Sequence, residues 1–142
     1  MTDKEYKTIK RLACKYFDVW RLRMGLRHWD LTLLMSRTEC PDSRETAGRC
    51  DCMWEYKSAT ITIYAPRFLN APESKMLRII IHEFCHVLVR EMREWGDPGM
   101  DDKTAINKVA HEERVVTNLT DAFIWTYEDG VAAGKKGKND IG

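Results

Sequence analysis

The chain has almost no excess of charge. Its 23 lysines and arginines face 22 aspartates and glutamates, for a formal net charge of +1. A balance that close argues against a nucleic-acid binder working by bulk electrostatics and singles out no partner. Long apolar runs are missing too. The longest, Met76 to Val89, is interrupted by Arg78, His82, Glu83 and His86, and nothing reaches the roughly 20 residues that span a bilayer. Met1 to Arg11 is charged and lacks the apolar centre of a secretory signal. These absences lead us to expect a cytoplasmic protein, with neither membrane nor nucleic acid among its partners. Cysteines number five, at 14, 40, 50, 52 and 85. An odd count with no visible secretion route speaks against a disulfide framework. Cys14 and Cys85 lie in apolar helical contexts and read as buried thiols. Cys50-Asp51-Cys52, with Cys40, could form part of a metal site, but a fourth ligand is not evident. Two small strand residues facing the core is the better reading.

What is present fits one domain. The chain has 142 residues, of which 44% are hydrophobic, enough for one real core. From Asp3 to Met24, residues Ile9, Leu12, Ala13, Tyr16, Phe17, Val19 and Trp20 recur at helical spacing, and Gly25 is a plausible stop. Trp29 to Ser36 alternates like a half-buried strand, and so does Gly48 to Tyr56 after a polar loop at 40–46. Ala59 to Tyr64 is rich in β-branched residues and reads as a third strand, close enough to the second for an antiparallel hairpin. A helix is expected from an Asn70 cap, with Pro72 in its first turn and Glu73 reaching back, to Glu94. Trp95-Gly-Asp-Pro-Gly99 should break it. Asp101 and Asp102 can cap a last helix, from Lys103 to Asp129, ended by Gly130 and Gly134. The expected fold class is α+β: an N-terminal helix, a small three-stranded, mostly antiparallel sheet, then two helices. Residues 1–134 form the single domain, and 135–142 a basic, flexible, solvated tail.

The chemistry is concentrated in His82-Glu83-Phe84-Cys85-His86. Helical positions i and i+4 share a face, so both imidazoles can reach one ion. Catalytic zinc sites have three protein ligands and keep one position open for water. Glu83, beside the first histidine, is placed to act as general base, because the metal lowers the pKa of water to roughly 7. Two exposed histidines on an ordinary helix is the bland alternative. The flanks Met76-Leu77, Ile79-Ile80-Ile81, Phe84 and Val87-Leu88-Val89 argue against it, since they make the helix apolar nearly all round. Polar groups buried there need partners, and a metal supplies one. The third ligand should come from the next helix. Glu112 shares a stripe with Val109, Val116, Leu119 and Phe123; Glu113 shares one with Ala110, Thr117 and Thr120. Periodicity leaves the two open. Small polar neighbours suit a ligand, with Thr117 as its hydrogen-bond partner one turn on. His111 points away from both stripes and is a weaker candidate, for an oxyanion role or none.

His82-Glu-Phe-Cys-His86, followed by Glu113 inside Glu-Glu-Arg-Val-Val-Thr-Asn-Leu119, resembles the gluzincin pattern of zinc peptidases. The layout is similar to minimal, zincin-like metallopeptidases of phages and bacteria, and the Glu113, Val116, Leu119 spacing to ImmA/IrrE-type peptidases. The resemblance covers about Thr60 to Phe123. It implies Zn²⁺ on His82, His86 and Glu113, with Glu112 as the alternative, and a Glu83 base acting on a peptide or protein substrate. The chain departs from the larger gluzincins at two points. Thr117 stands where they carry an acidic residue, and their downstream His or Tyr has no counterpart, Tyr127 lying too far along the helix. SprT-like peptidases are a second comparison, but no histidine follows His86 before His111. The third strand sits where such peptidases keep an edge along the cleft, though a plain core strand reads equally well.

Overall fold

Thr2 and Glu5 set where the first helix begins. The Thr2 hydroxyl accepts from the Glu5 amide at 3.2 Å, and the Glu5 carboxylate accepts from the Thr2 amide at 2.6 Å. Each side chain thus satisfies a donor the helix start leaves open. In the computed structural model, which describes residues 1–94 and 102–139, helix α1 runs Asp3–Arg23 and is followed by Gly25 at φ 71, as the sequence predicts. Ile9, Ala13, Phe17 and Trp20 form its buried face. Cys14 is exposed, against expectation, because it sits about 100° round the helix from Ala13. Cys85 is buried, as expected.

Three strands follow: β1 (Asp30–Ser36), β2 (Gly48–Met53) and β3 (Ser58–Tyr64). β2 stops earlier than its alternation suggests. Trp54–Tyr56 wind into a 3-10 turn, and Lys57 takes φ 47 to turn the chain back. β2 and β3 form the expected antiparallel hairpin, with Cys50 opposite Ile61. β1, however, joins β3 in parallel, with Leu33 opposite Ile61. The order is β1-β3-β2, so the sheet is mixed, one pair of each kind, rather than mostly antiparallel. β3 is therefore the central strand and not the edge that the cleft needs. Its Ala59, Ile61 and Ile63 are buried, and Thr60 and Thr62 between them are half-covered by strands on both sides.

Helix α2 spans Glu73–Glu94 and buries Met76, Leu77, Ile80, Ile81, Phe84, Cys85 and Val87. Asn70 is not its cap. It holds φ 56, a left-handed turn that Asn tolerates, just after a 3-10 helix at Ala65–Phe68. Glu73 does not reach back either; its carboxylate meets the Tyr16 hydroxyl and the Lys15 ammonium of α1. Helix α3 spans Asp102–Asn139. It runs through Gly130 and Gly134, because neither takes the left-handed conformation that ends a helix and a helical glycine costs only about 1 kcal/mol. The expected flexible tail is thus helical as far as Asn139. The predicted break at Trp95–Gly99, and Asp101, lie outside the described residues.

α1 and α2 cover one face of the sheet, and α3 packs along α2. Phe17, Trp20, Leu26, Ile61, Ile63 and Phe84 belong to one core, with the Phe17 and Phe84 rings 5.2 Å apart. The other face of the sheet carries exposed Asp30, Thr32, Leu34, Arg49, Asp51 and Met53. Among the described residues no helix is long and apolar enough to cross a membrane.

Candidate metal centre

The apolar stripe of α2 fixes which way its polar residues point. With Ile80, Ile81, Phe84 and Cys85 turned into the core, His82 and His86 share the flank that faces α3, their ring centroids 5.0 Å apart. α3 brings Glu113 between them. Its carboxylate oxygens lie 3.0 Å from His86 Nε2 and 3.6 Å from His82 Nε2. One ligand atom from each of the three residues falls within 4.8 Å of the others. Ligand atoms about 2.1 Å from a tetrahedral zinc stand about 3.4 Å from one another, and the two contacts bracket that spacing. The donor set therefore fits the ion. The Glu113 side chain is 53% exposed, so the cluster opens to solvent on one side.

Glu112 stands apart from this cluster in position, although it is the adjacent residue. Its side chain is 8% exposed, and Oε1 accepts from His86 Nδ1 at 2.9 Å. That bond assigns the proton to Nδ1 and leaves Nε2 as the lone-pair nitrogen facing Glu113. A carboxylate behind a ligating histidine orients the ring and raises its basicity. The pair of residues that periodicity left open is thereby divided: Glu113 toward the ion position, Glu112 behind the ring. Burial, the largest effect, then the neighbouring His86 and Arg78, lower the pKa of His82, against the pull of Glu113. A neutral imidazole is the form a metal requires.

Glu83 is 5% exposed. Burial foremost, then the charges of Glu113 and Asp51, push its carboxyl up to about 8. A cation at the cluster would act in the opposite direction and favour the carboxylate. Glu83 abuts the start of β2: a Cβ added to Gly48 would lie 2.9 Å from Glu83 Oε1. The strand along the site is thus β2 rather than β3. Gly48, Cys50 and Cys52 line a cleft of about 450 Å³ together with His82, Glu83 and His86. The Tyr64 amide donates to the Ala47 carbonyl at 3.0 Å. Ladder bonds alternate along an antiparallel pair. Arg49 and Asp51 therefore turn their backbone groups to β3, while Gly48, Cys50 and Cys52 turn theirs to the open edge. Among the described residues no strand pairs with that edge.

The other residues singled out in the sequence stay apart from the cluster. Thr117 is exposed, and among the described residues no hydrogen bond ties it to a ligand; Glu112 takes that place. His111 is exposed with Nδ1 2.7 Å from Arg114. Tyr127 packs against Trp20, with ring centroids 5.5 Å apart, and beneath Arg23. Cys50 and Cys52 pack against the core, as expected, and also line the cleft, and burial pushes the Cys50 thiol well up. Gly48, packed against the Glu83 carboxylate, is the cleft residue that sequence reasoning missed. Gly48 did carry a signal, a glycine opening a strand pattern.

No protein-family model, no curated protein and no solved structure matches the chain.

Proposed function

We propose that the chain is a zinc-dependent peptidase, with His82, His86 and Glu113 as metal ligands and Glu83 as general base. The observation that carries this reading is the Glu113 carboxylate 3.0 and 3.6 Å from the two Nε2 atoms, with Glu83 buried beside them. Zinc bound there would polarise a peptide carbonyl and activate water for attack. The chain's own residues do the rest. Glu112 holds His86 in the ligating tautomer. Glu83 takes the proton from the attacking water and delivers it to the leaving amine. The open edge of β2 accepts an extended peptide through the backbone groups of Gly48, Cys50 and Cys52. A cleft this small and one-sided favours a restricted protein target over general digestion.

A second reading has one observation behind it. Among the described residues no tyrosine, and no histidine beyond the two proposed ligands, lines the cleft; its cationic side chains are Arg90 and Arg49, the latter paired with Asp42 and Asp51. A zinc-binding module that acts by contacting a partner fits that absence. Glu83→Gln separates the two. Under the peptidase reading it keeps zinc and loses hydrolysis by at least about 10²-fold, the scale of a general base. Equal cleavage by Glu83→Gln and wild type would remove Glu83 from the mechanism.

A further inference from the structure

Gly48 opens β2 with an ordinary strand backbone; its φ is not in the left-handed region. Conformation therefore does not require glycine there. Space does. A Cβ built on Gly48 would lie 2.7 Å from Ile79 Cγ2, 2.9 Å from Glu83 Oε1 and 3.1 Å from Glu83 Cγ. Contacts between carbons are comfortable only at about 3.5–4.0 Å. Ile79 and Glu83 are one turn apart on α2, which packs directly on β2. Among the described residues no hydrogen bond holds the Glu83 carboxylate, so what packs on it decides where it stands.

We infer that Gly48 is the positioning residue for Glu83: bare backbone at the start of β2 closes on the carboxylate and holds Oε1 in the cleft that His82 and His86 also line. As a statement about catalysis, this rests on the reading of Glu83 as general base. Any side chain at position 48 forces one of two movements. Either β2 lifts from α2, or the Ile79 side chain and the Glu83 carboxylate both swing aside. Both separate the base from the water it must deprotonate, and neither touches His82, His86 or Glu113. The same strand residue also turns its backbone groups to the open edge, so substrate strand and base are registered against one element.

The test is a mutant cycle on the full chain, followed by an activity measurement. Gly48→Ala is introduced into wild type and into Ile79→Ala/Glu83→Ala, which lacks all three crowding atoms. Urea unfolding should show a clear fall in midpoint in wild type and little or none in the relieved background, because contacting residues are not additive. If Gly48→Ala fails to fold in wild type yet folds in the relieved background, the crowding is established in a stronger form. Zinc-loaded Gly48→Ala, assayed on the peptide that wild type cleaves fastest in a random-sequence fluorogenic peptide library, should retain wild-type zinc content and KM. Its kcat should fall about 10²-fold, the loss expected when a reacting group is misplaced by about 1 Å. An equal loss of stability in both backgrounds, or a wild-type kcat, overturns the inference. Wild type that cleaves no member of the peptide library, with the cycle still coupled, sinks the peptidase reading and leaves the close packing of Gly48 on Ile79 and Glu83 standing.

Discussion

Glu112 and Glu113 are neighbours in the chain with opposite surroundings, one side chain 8% and the other 53% exposed. The roles proposed for them predict different losses. Removing a ligand should abolish stoichiometric zinc, whereas removing the carboxylate behind a ligating histidine typically weakens metal affinity about 10–100-fold. Competition with a chromophoric chelator should therefore find no tight zinc in Glu113→Ala and measurable, weakened zinc in Glu112→Ala. The reverse order would mean that the carboxylates exchange places when the ion binds. Why was this division not legible in the sequence, when the shared helix flank of His82 and His86 was? The histidines are related by one helical turn, a local fact that residue spacing carries. Which glutamate meets them depends on how α3 crosses α2, a tertiary fact that periodicity within α3 does not contain. Gly48 was hidden for the same reason. Its importance is a contact with a residue on another element, and a glycine in a strand pattern signals close approach without naming what approaches.

At the level of elements, most of the fold could be read from alternation and helical spacing, and the errors lie where elements meet. The β2–β3 hairpin was legible because a short turn ties adjacent strands. The placement of β1 was not. Its pairing with β3 in parallel crosses over β2 in sequence, and nothing local in Asp30–Ser36 specifies a partner. That order moves β3 from the edge to the centre and gives the cleft to β2. It also sets where the sheet is fragile. Ile61 is fully buried between β1 and β2, while Leu34 stands 51% exposed on the open face. Ile61→Ala should cost about 2–5 kcal/mol in urea unfolding. Leu34→Ala should stay within about 0.5 kcal/mol. Similar costs at the two positions would show that the outer face is covered in solution and that the one-sided packing is wrong. The helix ends follow the same logic. Gly130 and Gly134 read as stops, but a glycine ends a helix only when it adopts a left-handed conformation, and these two do not.

For the molecule as a whole, the candidate metal position lies at the seam between α2 and α3. Apart from it, the seam is held by Val116, fully buried, by Thr120, whose hydroxyl lies 3.8 Å from Cys85 Sγ, and by an exposed ion pair between Arg78 and Asp121. An exposed ion pair contributes only about 0–1 kcal/mol. His82, His86 and Glu113 reach the candidate ion position from both sides of the seam, so an ion held there would bind the folded state and would not find the same geometry in the unfolded chain. Free zinc at 1,000 times its dissociation constant would then stabilise the fold by about 4 kcal/mol. For a chain of this size that corresponds to a melting shift on the order of 10 °C. Thermal unfolding of the full chain with zinc and with excess chelator should differ by that much, and His86→Ala should melt at one temperature under both conditions. A wild type indifferent to the chelator would detach the cluster from the stability of the fold. The exposed Glu113 would then be an acidic residue paired with two histidines, and the peptidase reading would lose its metal.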